Sequence, residues 1–266
     1  MEVIEINGER NPSFPGIRPE PIAKNLTKLS QLVMEQKADV GLATDGDADR
    51  IGIVDEKGEF LNQHQVFALL CLYLLEVCGE RGPIVKTLTS TEMISKLGQI
   101  FDVPVFETPV GFKYVAPVMM QEKAIIGGEE SGGYGFRGHI PERDGILAGL
   151  YFLDFMAKTQ KKPSQLLDYL FSKVGPHFYD RIDYPIPANK RKAIVDRLGS
   201  ASPTAIAGVK VSKIDTTDGF GVFLADKSWL LIRLSGTEPL IRIYAEAESP
   251  DQVRKLLAEG KKLIGV

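Results

Sequence analysis

Between residues 83 and 128 the chain alternates between two hydrophobic periods. PIVKTL, VPVFET and AIIGG are short apolar runs, and STEMISKLGQI and GFKYVAPVMM between them carry helical spacing. Few architectures accommodate that order. Parallel strands need a crossover, and a helix is the crossover that packs back onto the sheet. The region therefore predicts an α/β layer with mainly parallel strands, whose ligand loops lie at the carboxyl ends of the strands.

The flanks extend this reading. DVGLA at 39–43 and RIGIVD from Arg50 are two apolar runs around a loop, EKGE at 56–59 is a turn, and a long helix is expected over 62–78. A helix over 144–158 closes this part, and another begins at Pro163, a residue suited to the first helical turn. After GPHF at 175–178 the texture changes. RIDYPIP, VKVSKIDTTDGFGVFLAD, WLLIRLS and LIRIYAEA read as strands between turn signals, with helices near 188–199 and 249–263. This predicts an α+β unit with a mostly antiparallel sheet, beyond a boundary near 173. MEVIEING reads as a strand without sequence-adjacent partners, so residues 2–6 are expected to offer an unpaired edge for self-association.

The totals remove several function classes. A chain of 266 residues makes two or three compact units. A net charge of −3 offers no basic excess for a nucleic-acid backbone or a membrane surface. The longest apolar run, VFALLCLYLLEVC, is too short to span a bilayer, and the first ten residues show no secretory pattern. Cys71 and Cys78, seven apart on the expected helix, read as buried thiols on one face, which fits a reducing, cytoplasmic setting.

Four loops could carry chemistry. In TDGDADR, Asp45, Asp47 and Asp49 alternate with small residues after an apolar run, so three carboxylates can converge on one hard cation. An EF-hand is excluded, because Arg50 stands where its glycine belongs and the flanks are strands. GGEESGGYGFRG at 127–138 is a flexible glycine-rich loop with carboxylates and a hydroxyl suited to the vicinal hydroxyls of a sugar. RLSGTEPLIR at 233–242 brings Arg233 and Arg242 to one mouth around Ser235, Gly236 and Thr237, a cradle for phosphate. TPVGFKYV places Lys113 near a helix start, where the dipole favours proton loss. His139 follows the glycine loop.

Together these loops resemble the α-D-phosphohexomutase family, which includes phosphoglucomutase/phosphomannomutase enzymes. TDGDADR is similar to its metal loop, GEESGG to its sugar-recognition loop and RLSGTEP to its phosphate-binding loop, in the family's order. The resemblance implies phosphohexomutase-type α/β layer domains followed by a C-terminal α+β domain. It implies residues 1–59 as the C-terminal part of the metal-loop domain, 60–173 as the sugar-recognition domain and 174–266 as the phosphate-binding domain. It further implies Mg²⁺ on Asp45, Asp47 and Asp49, with Arg50 beside a phosphoserine. Glu129 and Ser131 would bind sugar hydroxyls, Lys113 would assist proton transfer, and Arg233, Ser235, Gly236, Thr237 and Arg242 would grip the distal phosphate of a hexose phosphate. The implied reaction interconverts hexose 1-phosphate and 6-phosphate, of glucose or mannose, through a bisphosphate intermediate.

Two departures qualify the match. Some branches carry a His after the second glycine of a GExSGH pattern, where this chain has Gly133, leaving His139 as the available substitute. The family's Ser/Thr-Ala-Ser-His-Asn motif is not found in these residues, so the chain is expected to begin inside the second domain and to be inactive alone. Two rivals remain at this point: a non-catalytic phosphosugar-binding module, and a D-x-D phosphatase with Asp45 as nucleophile.

Overall fold

A computed structural model describes residues 2–235 and 239–265, with Ala188 described by its backbone alone. The chain divides into two compact units, Met1–Ser90 with Ile94–Lys173, and Thr91–Met93 with Val174–Val266.

The first unit opens with residues 2–22, which form neither helix nor strand. The strand expected at 2–6 is therefore corrected. Among the described residues no neighbouring strand supplies the ladder it needs, and Val3 and Ile4 stay exposed. Helix α1 (Thr27–Gln36) follows, then β1 (Gly41–Thr44), β2 (Ile51–Val54) and β3 (Phe60–Leu61) in an antiparallel meander. Leu26, Val33 and Val54 make a small core with Leu29, Ala43 and Phe60 packed against it.

Helix α2 (Gln63–Leu72) starts on a capping box of Asn62 and Gln65, and everything from Val66 to Leu72 is buried. It continues as a π-helical stretch, Tyr73–Val77. That wider turn breaks the seven-residue spacing, which corrects the shared face expected for the cysteines: Cys71 is buried and Cys78 exposed.

The alternating region forms β4 (Ile84–Thr87), α3 (Glu92–Phe101), β5 (Val105–Thr108), α4 (Phe112–Glu122), β6 (Ile126–Gly128) and β7 (Tyr134–Phe136). Its sheet has the order β5-β4-β6-β7, with β5, β4 and β6 parallel and β7 antiparallel. Phe112, Val115 and Met119 of α4 pack on Val85, covering one face. Helix α5 (Gly145–Thr159), capped by the Asp144 carboxylate on the Leu147 N–H, buries Gly145, Ala148, Gly149, Phe152 and Phe155, and α6 (Pro163–Val174) ends the unit.

The second unit contains β8 (Phe178–Pro185), α7 (Arg191–Ser200), β9 (Ala205–Ile206), β10 (Val209–Asp215), β11 (Phe220–Leu224), β12 (Trp229–Leu234), β13 (Leu240–Ala247) and α8 (Pro250–Ile264). The strands form one antiparallel sheet in the order β8-β13-β12-β11-β10-β9. Helix α8 has Ser249 as N-cap, Pro250 in its first turn and Gly265 in the left-handed conformation at its end. It lays Val253, Leu256 and Leu257 against Leu230, Ile243 and Ala245 of the sheet in one apolar core. No described helix is long and apolar enough to cross a membrane.

Candidate active site

The three aspartates sit in the connection between β1 and β2, whose register closes at Thr44 and Ile51. Ala48 takes a left-handed backbone (φ 60°), uncommon for a residue with a side chain, and folds the loop back on itself. Its carbonyl accepts a 3.0 Å bond from Gly145 N–H at the start of α5. One oxygen each from Asp45, Asp47 and Asp49 lie within 4.8 Å of one another. This all-oxygen set suits a hard divalent cation such as Mg²⁺, and the donor chemistry fits the ion that the metal loop implies.

Arg50 already offsets part of this charge. Its N–H reaches Asp45 Oδ1 at 3.1 Å and its Nε reaches Oδ2 at 2.5 Å, while Asp49 Oδ1 lies 3.7 Å away. Burial pushes the Asp45 carboxyl up, but bonds and charge from Arg50 outweigh it and hold Asp45 below the ordinary range. Asp49 goes the other way. Burial raises it to about 6, against the Arg143 charge and with Asp45 and Asp47 adding to the rise.

The glycine-rich loop forms a tight turn between β6 and β7. Glu129 N–H bonds to Gly133 O at 3.1 Å, Gly132 N–H to Glu129 O at 3.2 Å, and buried Tyr134 donates its hydroxyl to Gln63 O at 2.7 Å. The turn is stitched to the metal loop by an antiparallel bridge between Arg50 and Gly133 and by Ile51 N–H on Gly132 O at 3.1 Å. Glu129 is buried, and that burial raises its carboxyl above the ordinary range although the Arg143 charge and the Gly111 N–H pull it down. Ser131 Oγ is buried, with no partner among the described residues.

Arg143 is the residue that motif reading missed. One guanidinium nitrogen pairs with Asp49, the other reaches Glu129 Oε2 at 3.2 Å, and the guanidinium carbon stands 6.0 Å from the Phe112 ring centre. It joins the two loops by side chain as the strand bridge joins them by backbone. Its only signal in sequence is its place just before the Asp-Gly start of α5.

Lys113 and His139 make contacts of their own. Lys113, second residue of α4, is exposed, with Nζ 5.0 Å from the Tyr114 ring centre. His139 is bonded through Nε2 to Asp144 Oδ2 at 2.9 Å. A lysine not singled out from sequence, Lys86 on β4, is buried beside Glu107 on β5, 3.4 Å apart on neighbouring parallel strands.

In the second unit, Arg233 and Arg242 face each other across β12 and β13, and Asp183 of β8 lies next to Arg242 in register. Arg233 Nε is 2.9 Å from Asp218, and Arg242 Nε is 3.9 Å from Asp183. Ser235 is buried, its N–H on Leu240 O at 3.0 Å and its carbonyl accepting from Arg191 at 3.1 Å. Gly236 and Thr237 lie outside the described residues.

Comparison with known proteins gives this geometry its context. Models of the phosphoglucomutase/phosphomannomutase family match along the chain: alpha/beta/alpha domain II at residues 1–58, alpha/beta/alpha domain III at 62–174 and the C-terminal domain at 189–262. A phosphoglucomutase/phosphomannomutase of Thermococcus kodakarensis is 35% identical over 263 residues, covering 99% of this chain and 55% of that protein. A phosphoglucosamine mutase of Methanocaldococcus jannaschii is 32% identical over 266 residues, covering 98% and 57%. The crystal structure of a phosphoglucomutase/phosphomannomutase family protein from Burkholderia thailandensis shares the fold, with a TM-score of 0.82 at 20% identity over 99% of this chain and 54% of that one. The chain thus spans about half the length of the curated relatives it matches. From the three matched domains and the order of its loops, the chain belongs to the phosphoglucomutase/phosphomannomutase family, the α-D-phosphohexomutases.

Proposed function

We propose that these residues supply the metal loop, the sugar-recognition loop and the distal phosphate clamp of a mutase that interconverts hexose 1-phosphate and hexose 6-phosphate. The observation that carries this reading is the meeting of Asp45, Asp47 and Asp49 with Glu129 through Arg143, beside the unpartnered hydroxyl of Ser131. A divalent ion held by the aspartates would offset charge on a transferring phosphoryl group. Arg50 holds Asp45 in place and lends positive charge next to the ion position. Glu129, raised by burial and fixed by Arg143, accepts a sugar hydroxyl, and Ser131 Oγ can donate to or accept from its neighbour. Arg233 and Arg242, with Ser235, hold the phosphate that does not react, which positions the other end for transfer.

The transfer itself is assigned to a phosphoserine in sequence outside these residues. The substrate class extends to hexosamine phosphates, because relatives at 31–35% identity carry the name phosphoglucosamine mutase. The phosphatase alternative loses ground: Asp45 is buried with both oxygens held by Arg50, a poor state for an attacking carboxylate.

The test is isothermal titration of the chain with glucose 1-phosphate, mannose 1-phosphate and glucosamine 1-phosphate, with and without Mg²⁺, beside a mutase assay on the same sample. Binding of at least one sugar phosphate without turnover is expected, and binding of none overturns the reading. The rival reading, a phosphosugar-binding module with no catalytic part, shares that binding. It is separated by whether a supplied phosphoserine domain restores turnover.

A further inference from the structure

We infer that Gly133 and Arg143 form one device that couples the metal loop to the sugar loop, so that ion and sugar phosphate strengthen each other's binding. The inference rests on the function proposed above. Arg143 spans the two loops, with one arm on Asp49 and the other on Glu129 at 3.2 Å. Its stem crosses directly over Gly133. A Cβ at that position would overlap Arg143 Cδ and stand 3.0 Å from Cγ and 3.3 Å from Nε. A histidine in the manner of the GExSGH pattern cannot stand at 133 while Arg143 lies there. The departure at 133 and the unexpected arginine at 143 are thus two sides of one arrangement.

The consequence follows from the charges. Asp49 is a ligand of the proposed ion site and the partner of one Arg143 arm, so Arg143 competes with a cation for the same carboxylate. When Asp49 turns to a cation, the arm that held it is released while the second arm stays on Glu129. The freed N–H groups then stand beside the sugar loop as donors for a hexose phosphate. A ligand that accepts from that arm keeps Arg143 off Asp49 and so favours the cation. Linkage requires the effect to be equal in both directions.

The experiment measures Mn²⁺ affinity by electron paramagnetic resonance, with and without saturating glucose 1-phosphate or glucosamine 1-phosphate. It compares the parent chain, Arg143→Gln, Gly133→Ala and the double variant, with circular dichroism confirming the fold of each. In the parent, sugar phosphate should tighten Mn²⁺ about tenfold, within the usual range of coupling between sites. Arg143→Gln should bind Mn²⁺ alone more tightly than the parent and lose the coupling to within about twofold. Gly133→Ala should lose the coupling as well, and the double variant should lose no more than either single one, as expected for residues acting as a unit. Coupling retained in Arg143→Gln, or additive losses in the double variant, would overturn the inference while leaving the proposed function standing. A parent chain that binds sugar phosphate and Mn²⁺ independently would also overturn it, and one that binds neither removes both.

Discussion

Gly145→Ala is the smallest change that forces the aspartate loop and helix α5 apart. A Cβ at 145 would lie 2.5 Å from the carbonyl oxygen of Arg50, 2.8 Å from its carbonyl carbon and 3.0 Å from the carbonyl oxygen of Ala48. All three are backbone atoms of the loop, so no side-chain rotation relieves the overlap. Overpacking of this kind costs about 1–3 kcal/mol. Weakening the 3.0 Å bond from Gly145 N–H to Ala48 O adds about 1 kcal/mol. Gly149→Ala, one turn along the same helix, is the internal control. Its Cβ would meet two side-chain ends and no backbone, the terminal Cδ1 of Ile51 at 2.9 Å, which can turn aside, and Cδ1 of Leu42 at 3.5 Å, an ordinary contact. Alanine in place of a helical glycine returns about 1 kcal/mol. Urea unfolding should therefore show Gly145→Ala destabilised by about 2–4 kcal/mol, and Gly149→Ala within about 1 kcal/mol of the parent. Mn²⁺ affinity should fall at least about tenfold in Gly145→Ala, since displaced ligands lose their common focus. Equal stability and equal Mn²⁺ affinity in the two variants would refute the claim that close seating of α5 shapes the aspartate loop.

Two further outcomes follow from the same structure. Burial, with the Lys86 charge behind it, pushes His64 down to about 3 from 6.5, so the folded state keeps it neutral and unfolding takes up a proton. Stability should fall as pH drops from about 6.5 towards 3, by up to about 1.4 kcal/mol per pH unit from this group; His64→Gln should flatten that slope in unfolding curves, and an unchanged slope would contradict it. Arg233→Ala should weaken hexose phosphate binding roughly 10- to 100-fold by calorimetry, since a hydrogen bond to a charged group contributes about 1.5–3 kcal/mol; unchanged affinity would remove Arg233 from the clamp.

The sequence reveals strands and helices wherever period and turn chemistry agree. The alternation from 83 to 128 became three parallel strands with helical crossovers, and the runs RIDYPIP, WLLIRLS and LIRIYAEA fall on β8, β12 and β13 of the antiparallel sheet. It fails where tertiary partners decide. MEVIEING has strand composition but no neighbour to pair with, while α1 begins without a side-chain cap and announces itself weakly. Strand β7 is interrupted by Gly135 and hides inside what reads as loop, yet Tyr134 and Phe136 are buried. At the site the three aspartates are legible because their spacing is local. Arg143 is not, because its partners Asp49 and Glu129 lie 94 and 14 residues earlier and meet it only through folding. Gly133 reads in sequence as a missing histidine, and its purpose becomes physical only once the arginine stem above it is seen.

The most direct measurement is a Mn²⁺ titration followed by electron paramagnetic resonance, with Mg²⁺ as competitor, on the parent chain and on Asp47→Asn. Asp47 is the exposed member of the triad, so its replacement removes a ligand and spares the Arg50 and Arg143 pairs that hold Asp45 and Asp49. One Mn²⁺ per chain, displaced by Mg²⁺ and weakened at least about tenfold by Asp47→Asn, is the predicted result. No bound Mn²⁺, or binding that Asp47→Asn leaves unchanged, would contradict the assignment of the aspartate loop as the metal centre.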